Sequence, residues 1–154
     1  MSESRVWEAN LSLPYAWTLG PTNTRFFQGL TEGKIFGTRC PCCGRVLVPA
    51  RKFCARCFVD TDEWVEVSGT GTLQTFTLVN YAYMGQPATP PYICALIKLD
   101  GADTALAHYI GGVNPGNLEE VLQKIKIGMR VKACWNEERQ GTIFDIKYFE
   151  PSDG

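Results

Sequence analysis

The sequence predicts a mainly β protein in which a short helix and a small metal-held hairpin lead into a five-stranded barrel. Three observations carry that prediction. Residues 39–58 hold two Cys-x-x-Cys pairs, Cys40/Cys43 and Cys54/Cys57, separated by a segment short enough to fold back on itself. Beyond residue 63, runs rich in Thr, Val, Ile and aromatic residues recur with turn residues between them, a composition that suits strands. Hydrophobic content of 45% with 20% charged residues supplies a packed core for 154 residues, which is one ordinary domain or two small ones.

The first 33 residues read as an arm followed by a short helix. Residues 1–22 mix Trp7, Tyr15 and Trp17 with Pro14, Gly20 and Pro21 and keep no period, so the arm is extended and its rings need a surface to dock on. Asn23 or Thr24 is placed to cap a helix, Phe26, Phe27 and Leu30 form one apolar stripe, and Gly33 ends it. Residues 1–10 contain neither a basic leader nor an apolar run, and no stretch approaches the ~20 apolar residues of a membrane span. A reducing, cytoplasmic setting is therefore expected for the seven cysteines.

Residues 34–63 read as a zinc ribbon of rubredoxin type, with 34–39 as its first strand and 46–49 as the return. In each Cys-x-x-Cys knuckle, backbone N–H groups turn toward the first sulfur, and Gly44 supplies a residue tolerant of positive φ after the second. Four thiolates, Cys40, Cys43, Cys54 and Cys57, then surround one tetrahedral Zn²⁺. A disulfide pair and a redox dithiol are the rival readings. A redox motif expects one Cys-x-x-Cys beside a βαβ unit, whereas here two stand in a hairpin rich in Pro and Arg. Cys42 breaks the two-residue spacing and stays outside the ligand set, a free thiol like Cys94 and Cys134, which are expected to be buried in strands. A four-Cys site has no open position for water, so this zinc is structural and the function lies elsewhere.

Residues 64–150 read as the barrel. Ser68-Gly69-Thr70-Gly71 bends the chain between 64–67 and a curved strand at 72–79. A long loop rich in Pro and Tyr follows, then a hairpin of 93–99 and 104–110 about Asp100-Gly101-Ala102-Asp103. Residues 117–128 form a helix capped by Asn117, with Leu118, Val121, Leu122 and Ile125 on one face and Gly128 as its stop. Strands at 129–135 and 142–149 close the set. Five strands with a helix between the third and fourth is the order of an OB-fold barrel.

Cys-x-x-Cys-Gly, Pro49-Ala50-Arg51 before the second Cys-x-x-Cys, Ser-Gly-Thr-Gly leading into the barrel, Pro90-Pro91-Tyr92 before its second strand and Ile127-Gly128-Met129-Arg130-Val131 together resemble the DUF35 family over residues 23 to 150. The family often shows Pro-Pro-Arg where this chain has Pro49-Ala50-Arg51. The resemblance implies an accessory subunit of a thiolase-superfamily complex, in which a thiolase-like partner carries the catalytic groups and the DUF35 chain bridges subunits and helps to frame the coenzyme A site. It extends to complexes that handle aromatic acyl-CoA substrates in anaerobic toluene breakdown.

The residues themselves agree that catalytic groups are missing. The one histidine, His108, shares a strand face with Leu106 and Ile110, where structural or interfacial roles prevail. No Cys, Ser or Lys has a base nearby in the sequence, so a free-standing enzyme using Cys42 or Cys94 ranks last. Arg39, Arg45, Arg51, Lys52 and Arg56 crowd the ribbon, and either meet coenzyme A phosphates or an acidic partner, or offset the charge of a four-thiolate zinc site. The loop with Tyr81, Tyr83 and Tyr92 either grips an acyl-CoA or covers a barrel end. The competing function is a nucleic-acid-binding module, since ribbons and OB barrels both serve as such. Charge argues against it: the chain has 15 basic and 16 acidic residues, and over 64–150 seven basic side chains stand against nine acidic ones.

Overall fold

A computed structural model describes residues 15–152, so Trp7 and the rest of the arm up to residue 14 lie outside the described residues. Helix α1 spans Gly20–Thr31, earlier than the cap expected at Asn23 or Thr24. Pro21 explains the difference, because its fixed φ suits a first helical turn and its missing N–H would have no partner there. Thr24 instead lies inside the helix, its hydroxyl donating to the Gly20 carbonyl at 2.7 Å. At the other end Gly33 takes φ +75° and donates to Leu30 O, while Lys34 N–H donates to Gly29 O at 2.9 Å. That left-handed closure is why the helix stops where the glycine predicts.

The ribbon comprises β1 (Ile35–Arg39), β2 (Val46–Leu47), β3 (Phe53–Cys54), β4 (Val59–Asp60) and β5 (Glu63–Val67). Strand β1 is central, with β2 on one side and β5 on the other. Residues 64–67, read from the sequence with the barrel, thus pair in the ribbon's sheet, from Ile35↔Val67 to Arg39↔Glu63. A short strand carries a face period but no mark of its neighbour, and the one chain turn back from β4 brings it alongside β1.

Strands β6 (Thr70–Val79), β7 (Tyr92–Leu99), β8 (Ala105–Ile110), β9 (Arg130–Trp135) and β10 (Ile146–Pro151) form a closed barrel in the order β10-β8-β7-β6-β9. Closure requires β6 to bend, and a register shift between Leu73 and Thr75 places the bulge at Gln74. Gly71 pairs with Leu99 across β6 and β7, and an added Cβ there would lie 2.5 Å from Lys98 O. Arg130 clamps the same corner, its guanidinium donating to both carboxylate oxygens of Asp100 and, at 3.1 Å, to Thr72 Oγ1. These bonds and the Thr70 hydroxyl hold the Asp100 carboxyl down at about 2.

Two barrel elements are shorter than the sequence implies. Helix α2 is Leu118–Lys124, capped as expected by Asn117, whose Oδ1 accepts from Glu120 N–H at 3.1 Å. It ends before Gly128 because the chain turns extended at Ile125, which drops that side chain into the core and leaves Leu118 and Leu122 exposed. The stretch 142–149 opens not as strand but as the 3₁₀ turn Ile143–Asp145. Asp145 is buried there and accepts from Gln140 and Gly141 N–H at 2.9 and 2.8 Å.

Helix α1, ribbon and barrel share one core: Phe26, Leu30, Ile35, Val46 and Val48 cluster with Leu73, Ile93, Ile97, Val131 and Phe149. Hydrogen bonds reinforce it. Val46 N–H donates to Asp103 Oδ2 at 2.9 Å, and Thr104 Oγ1 both accepts from Val48 N–H and donates to Val48 O.

Candidate functional site

Cys40 closes the first knuckle. Its sulfur faces Cys43 N–H at 3.5 Å, and its carbonyl accepts from Gly44 N–H, which the glycine reaches with φ +72°. The second knuckle repeats this with Phe58 N–H bonded to Cys54 O and Phe58 at φ 56°. The four sulfurs of Cys40, Cys43, Cys54 and Cys57 lie within 4.8 Å of one another, and Cys43 and Cys54 are 3.9 Å apart. Tetrahedral Zn–S bonds of ~2.3 Å place sulfurs about 3.8 Å apart, so the donor set fits Zn²⁺. Crowding has the matching electrostatic sign: the Cys43 sulfur and then burial push the Cys57 thiol up, because a second bare thiolate is unfavourable there without a cation. Leu47 packs behind the cluster.

The basic residues of the ribbon are mostly engaged. Arg39 Nε meets Glu63 Oε1 at 2.9 Å, and Lys52 lies 3.1 Å from Asp60 and 2.8 Å from Asp62, whose hydrogen bonds raise its pKa. Arg45 donates to Asp103 O. Arg51 is exposed and makes no ion pair among the described residues, its backbone serving the buried Thr38 and Thr61 hydroxyls. Of the Arg residues flanking the thiolates, Arg39 and Arg45 are thus held by a carboxylate and by carbonyls around them.

The loop between β6 and β7 is folded about Gln86. Its amide donates to Tyr81 O at 3.2 Å and Tyr92 Oη at 2.9 Å, and its Oε1 accepts from Tyr83 N–H at 3.1 Å. Tyr81 and Tyr83 stand exposed with ring centroids 6.2 Å apart. Tyr92 packs edge-on to Tyr109 at 5.3 Å, and Tyr109 stacks on Phe144 at 6.2 Å. Burial, then Tyr92, pushes the Tyr83 phenol up, so it stays neutral. The three tyrosines singled out in the sequence therefore belong to one aromatic wall. Tyr109, Phe144 and the organising Gln86 were not legible beforehand; only the Tyr-rich composition of the loop pointed here.

That wall adjoins two shallow clefts of about 200 and 230 Å³ that meet at Cys94 and Ala107. Cys94 is only half-buried, contrary to expectation, because Ile93 and Ala95 take the inward positions of β7. Cys134 is half-buried likewise. His108 lies at the floor of the first cleft but is committed: Nδ1 accepts from Tyr109 N–H at 2.8 Å, so Nε2 carries the proton toward Ile143 O at 3.1 Å. Burial lowers its pKa, outweighing both backbone hydrogen bonds. Trp17, one of the arm's rings, lines a separate hollow with Phe26, Phe27, Pro49 and Ile143, while Tyr15 stacks on it at 5.3 Å.

Two family models match: the ChsH2 rubredoxin-like zinc ribbon domain over residues 27–63 and the ChsH2 C-terminal OB-fold domain over 64–136. A DUF35 domain-containing scaffold protein of Methanocaldococcus jannaschii is 30% identical over 107 residues, which cover 69% of this chain and 70% of that protein. The chain belongs to the DUF35 family. Among solved structures, a DUF35 protein of unknown function from Sulfolobus solfataricus matches with a TM-score of 0.56 and 30% identity over 74% of this chain and 78% of its own. The Ltp2-ChsH2(DUF35) aldolase matches with a TM-score of 0.59 and 27% identity over 84% of this DUF35 chain and 93% of its own. No helix among the described residues is long and apolar enough to cross a membrane.

Proposed function

We propose that this DUF35 chain is the accessory subunit of a thiolase-superfamily enzyme that acts on acyl-CoA, bridging to the catalytic subunit and helping to frame the coenzyme A site. The observation that carries the reading is the likeness, over 93% of the solved chain, to a DUF35 protein whose structure is that of an aldolase complex. The M. jannaschii relative, named a scaffold protein, supports the same role. His108 supports it from inside the chain, since both of its ring nitrogens are spent on backbone groups and neither is free to move a substrate proton.

Within this reading the ribbon's zinc fixes the shape of a docking module, and Arg51, with Arg39 and Lys52 once they exchange their carboxylates, offers cations to coenzyme A phosphates. Tyr81, Tyr83 and Tyr92 offer ring faces to the acyl end, which favours an aromatic acyl group. Affinity purification of the tagged chain from its native cytosol, with mass spectrometry and a zinc determination, tests the proposal. A stoichiometric thiolase-superfamily partner with one zinc per chain is expected. Recovery of zinc-loaded chain with no enzyme subunit, or with RNA in its place, overturns it.

A further inference from the structure

The barrel leaves one outer face whose central rows carry no charge. Its rows run across three strands: Thr77, Cys94 and Tyr109 in one, Thr75, Leu96 and Ala107 in the next. All six are exposed or half-buried, Leu96 at 41%. Phe144 extends the face on one side, and the tyrosine loop stands at its end. A contiguous apolar surface of this kind is costly on a free protein and marks an interaction site.

At the opposite end of β7 the same face finishes in Lys98, next to Leu96 by strand alternation and paired in register with Ala105 and Thr72. Lys98 makes no ion pair among the described residues. On the ribbon, by contrast, Arg39 and Lys52 already hold carboxylates of the same chain. An apolar strip with an aromatic rim at one end and a single unmatched cation at the other has one complement. That complement is an apolar protein surface with a carboxylate placed opposite the lysine.

The geometry points to the outer face of β6–β8, centred on Cys94 and Leu96 and ending in Lys98, as the surface on which the partner enzyme subunit docks, through an apolar patch bearing a carboxylate opposite Lys98. The inference rests on the accessory-subunit reading and adds to it which face is used. It places the aromatic rim at the edge of the interface, where Tyr81 and Tyr83 reach toward the partner's site. Binding energy concentrates at the buried centre of such an interface, so Leu96 is its anchor and Lys98 its register.

The test uses the thiolase-superfamily subunit recovered with the tagged chain, produced recombinantly, and titrated against the full zinc-loaded chain. Leu96→Asp and Lys98→Glu each place a carboxylate on an already exposed position and are expected to weaken binding at least about 30-fold, while Glu137→Lys in the polar cleft beside Trp135 leaves it unchanged. Thermal unfolding within a few degrees of wild type shows that the variants fold. Alkylation gives a second readout that needs no variant. N-ethylmaleimide labelling of Cys94 slows at least tenfold in the complex, with exposed Cys42 on the ribbon as the internal reference.

Undiminished binding by both face variants, or protection of Cys42 with Cys94 labelled at its free rate, overturns the inference and moves the interface to the ribbon while leaving the accessory role intact. Protection of Cys94 by concentrating the chain alone overturns it as well, assigning the face to a second copy. Failure of the wild-type chain to bind the recovered subunit overturns the accessory-subunit reading itself.

Discussion

His108 combines burial at 5% exposure with a fixed neutral tautomer, and that combination has a measurable sign. Its folded pKa is lowered from 6.5, chiefly by burial, while the unfolded chain titrates at the ordinary value. Between the two pKa values the unfolded state binds more protons, so stability rises with pH across that window and falls as pH drops below 6.5. The slope approaches about 1.4 kcal/mol per pH unit. The zinc-bound thiolates also take up protons when the chain unfolds, so the effect is read as the difference between wild type and a variant of the single histidine, each unfolded in the presence of zinc from pH 7.5 to 5.5. His108→Gln keeps an amide donor for Ile143 O and is expected to flatten the slope; an unchanged slope would show that another group is responsible. The sequence placed His108 correctly on the Leu106 face, because strand alternation is a local property. It gave no sign of the Ile143 carbonyl that orders the ring, a contact 35 residues away.

At the scale of elements, what was legible follows the same division. Cysteine spacing identified all four sulfurs that cluster, and turn residues located the strands of the barrel. The misplacements have local causes: Pro21 starting a helix without a side-chain cap, Ile125 leaving a helix for the core, and β5 choosing between two sheets that its alternation fits equally. Gly69 and Gly71 looked alike in Ser-Gly-Thr-Gly, yet the structure separates them. A Cβ on Gly71 would lie 2.5 Å from Lys98 O and 2.9 Å from Leu99 Cα, both backbone atoms of β7 that cannot yield without opening the barrel. A Cβ on Gly69 meets only the Ala133 side chain, at 3.7 Å, and Gly69 is not among the glycines at positive φ. Gly71→Ala is expected to cost about 1–3 kcal/mol and lower Tm by several degrees. Gly69→Ala should be neutral or slightly stabilising through the unfolded chain. Equal melting temperatures for the two variants would refute the close approach of β6 and β7.

At the scale of the molecule, the question is whether a metal in the ribbon supports a barrel that contains none of its ligands. The shared core answers in one direction, since Val46 and Val48 of the hairpin pack with Leu73 and Ile97 of the barrel. Thr104 adds a directional tie by satisfying both the N–H and the carbonyl of Val48, whose side chain is fully buried. Zinc bound to four thiolates contributes folding free energy on the order of 10 kcal/mol to the unit it organises. If that unit were the ribbon alone, chelation would open it and leave the barrel's melting untouched. The coupling through Val48 and Asp103 predicts instead one cooperative transition in the zinc-loaded chain, and a Tm for barrel tryptophan Trp135 that falls together with that of ribbon tryptophan Trp64 when zinc is removed. Thr104→Val leaves the Val48 N–H and carbonyl unpaired at a part-buried position, a loss of about 1–3 kcal/mol at the joint itself. Combined with Asp103→Ala, it is expected to split the melt into a zinc-sensitive ribbon step and a zinc-insensitive barrel step. Single-tryptophan versions of the chain followed by fluorescence distinguish the two cases. Coincident transitions in the double variant would mean that the apolar core alone carries the coupling, and that the hydrogen bonds at Thr104 and Asp103 serve only to set the ribbon's angle on the barrel.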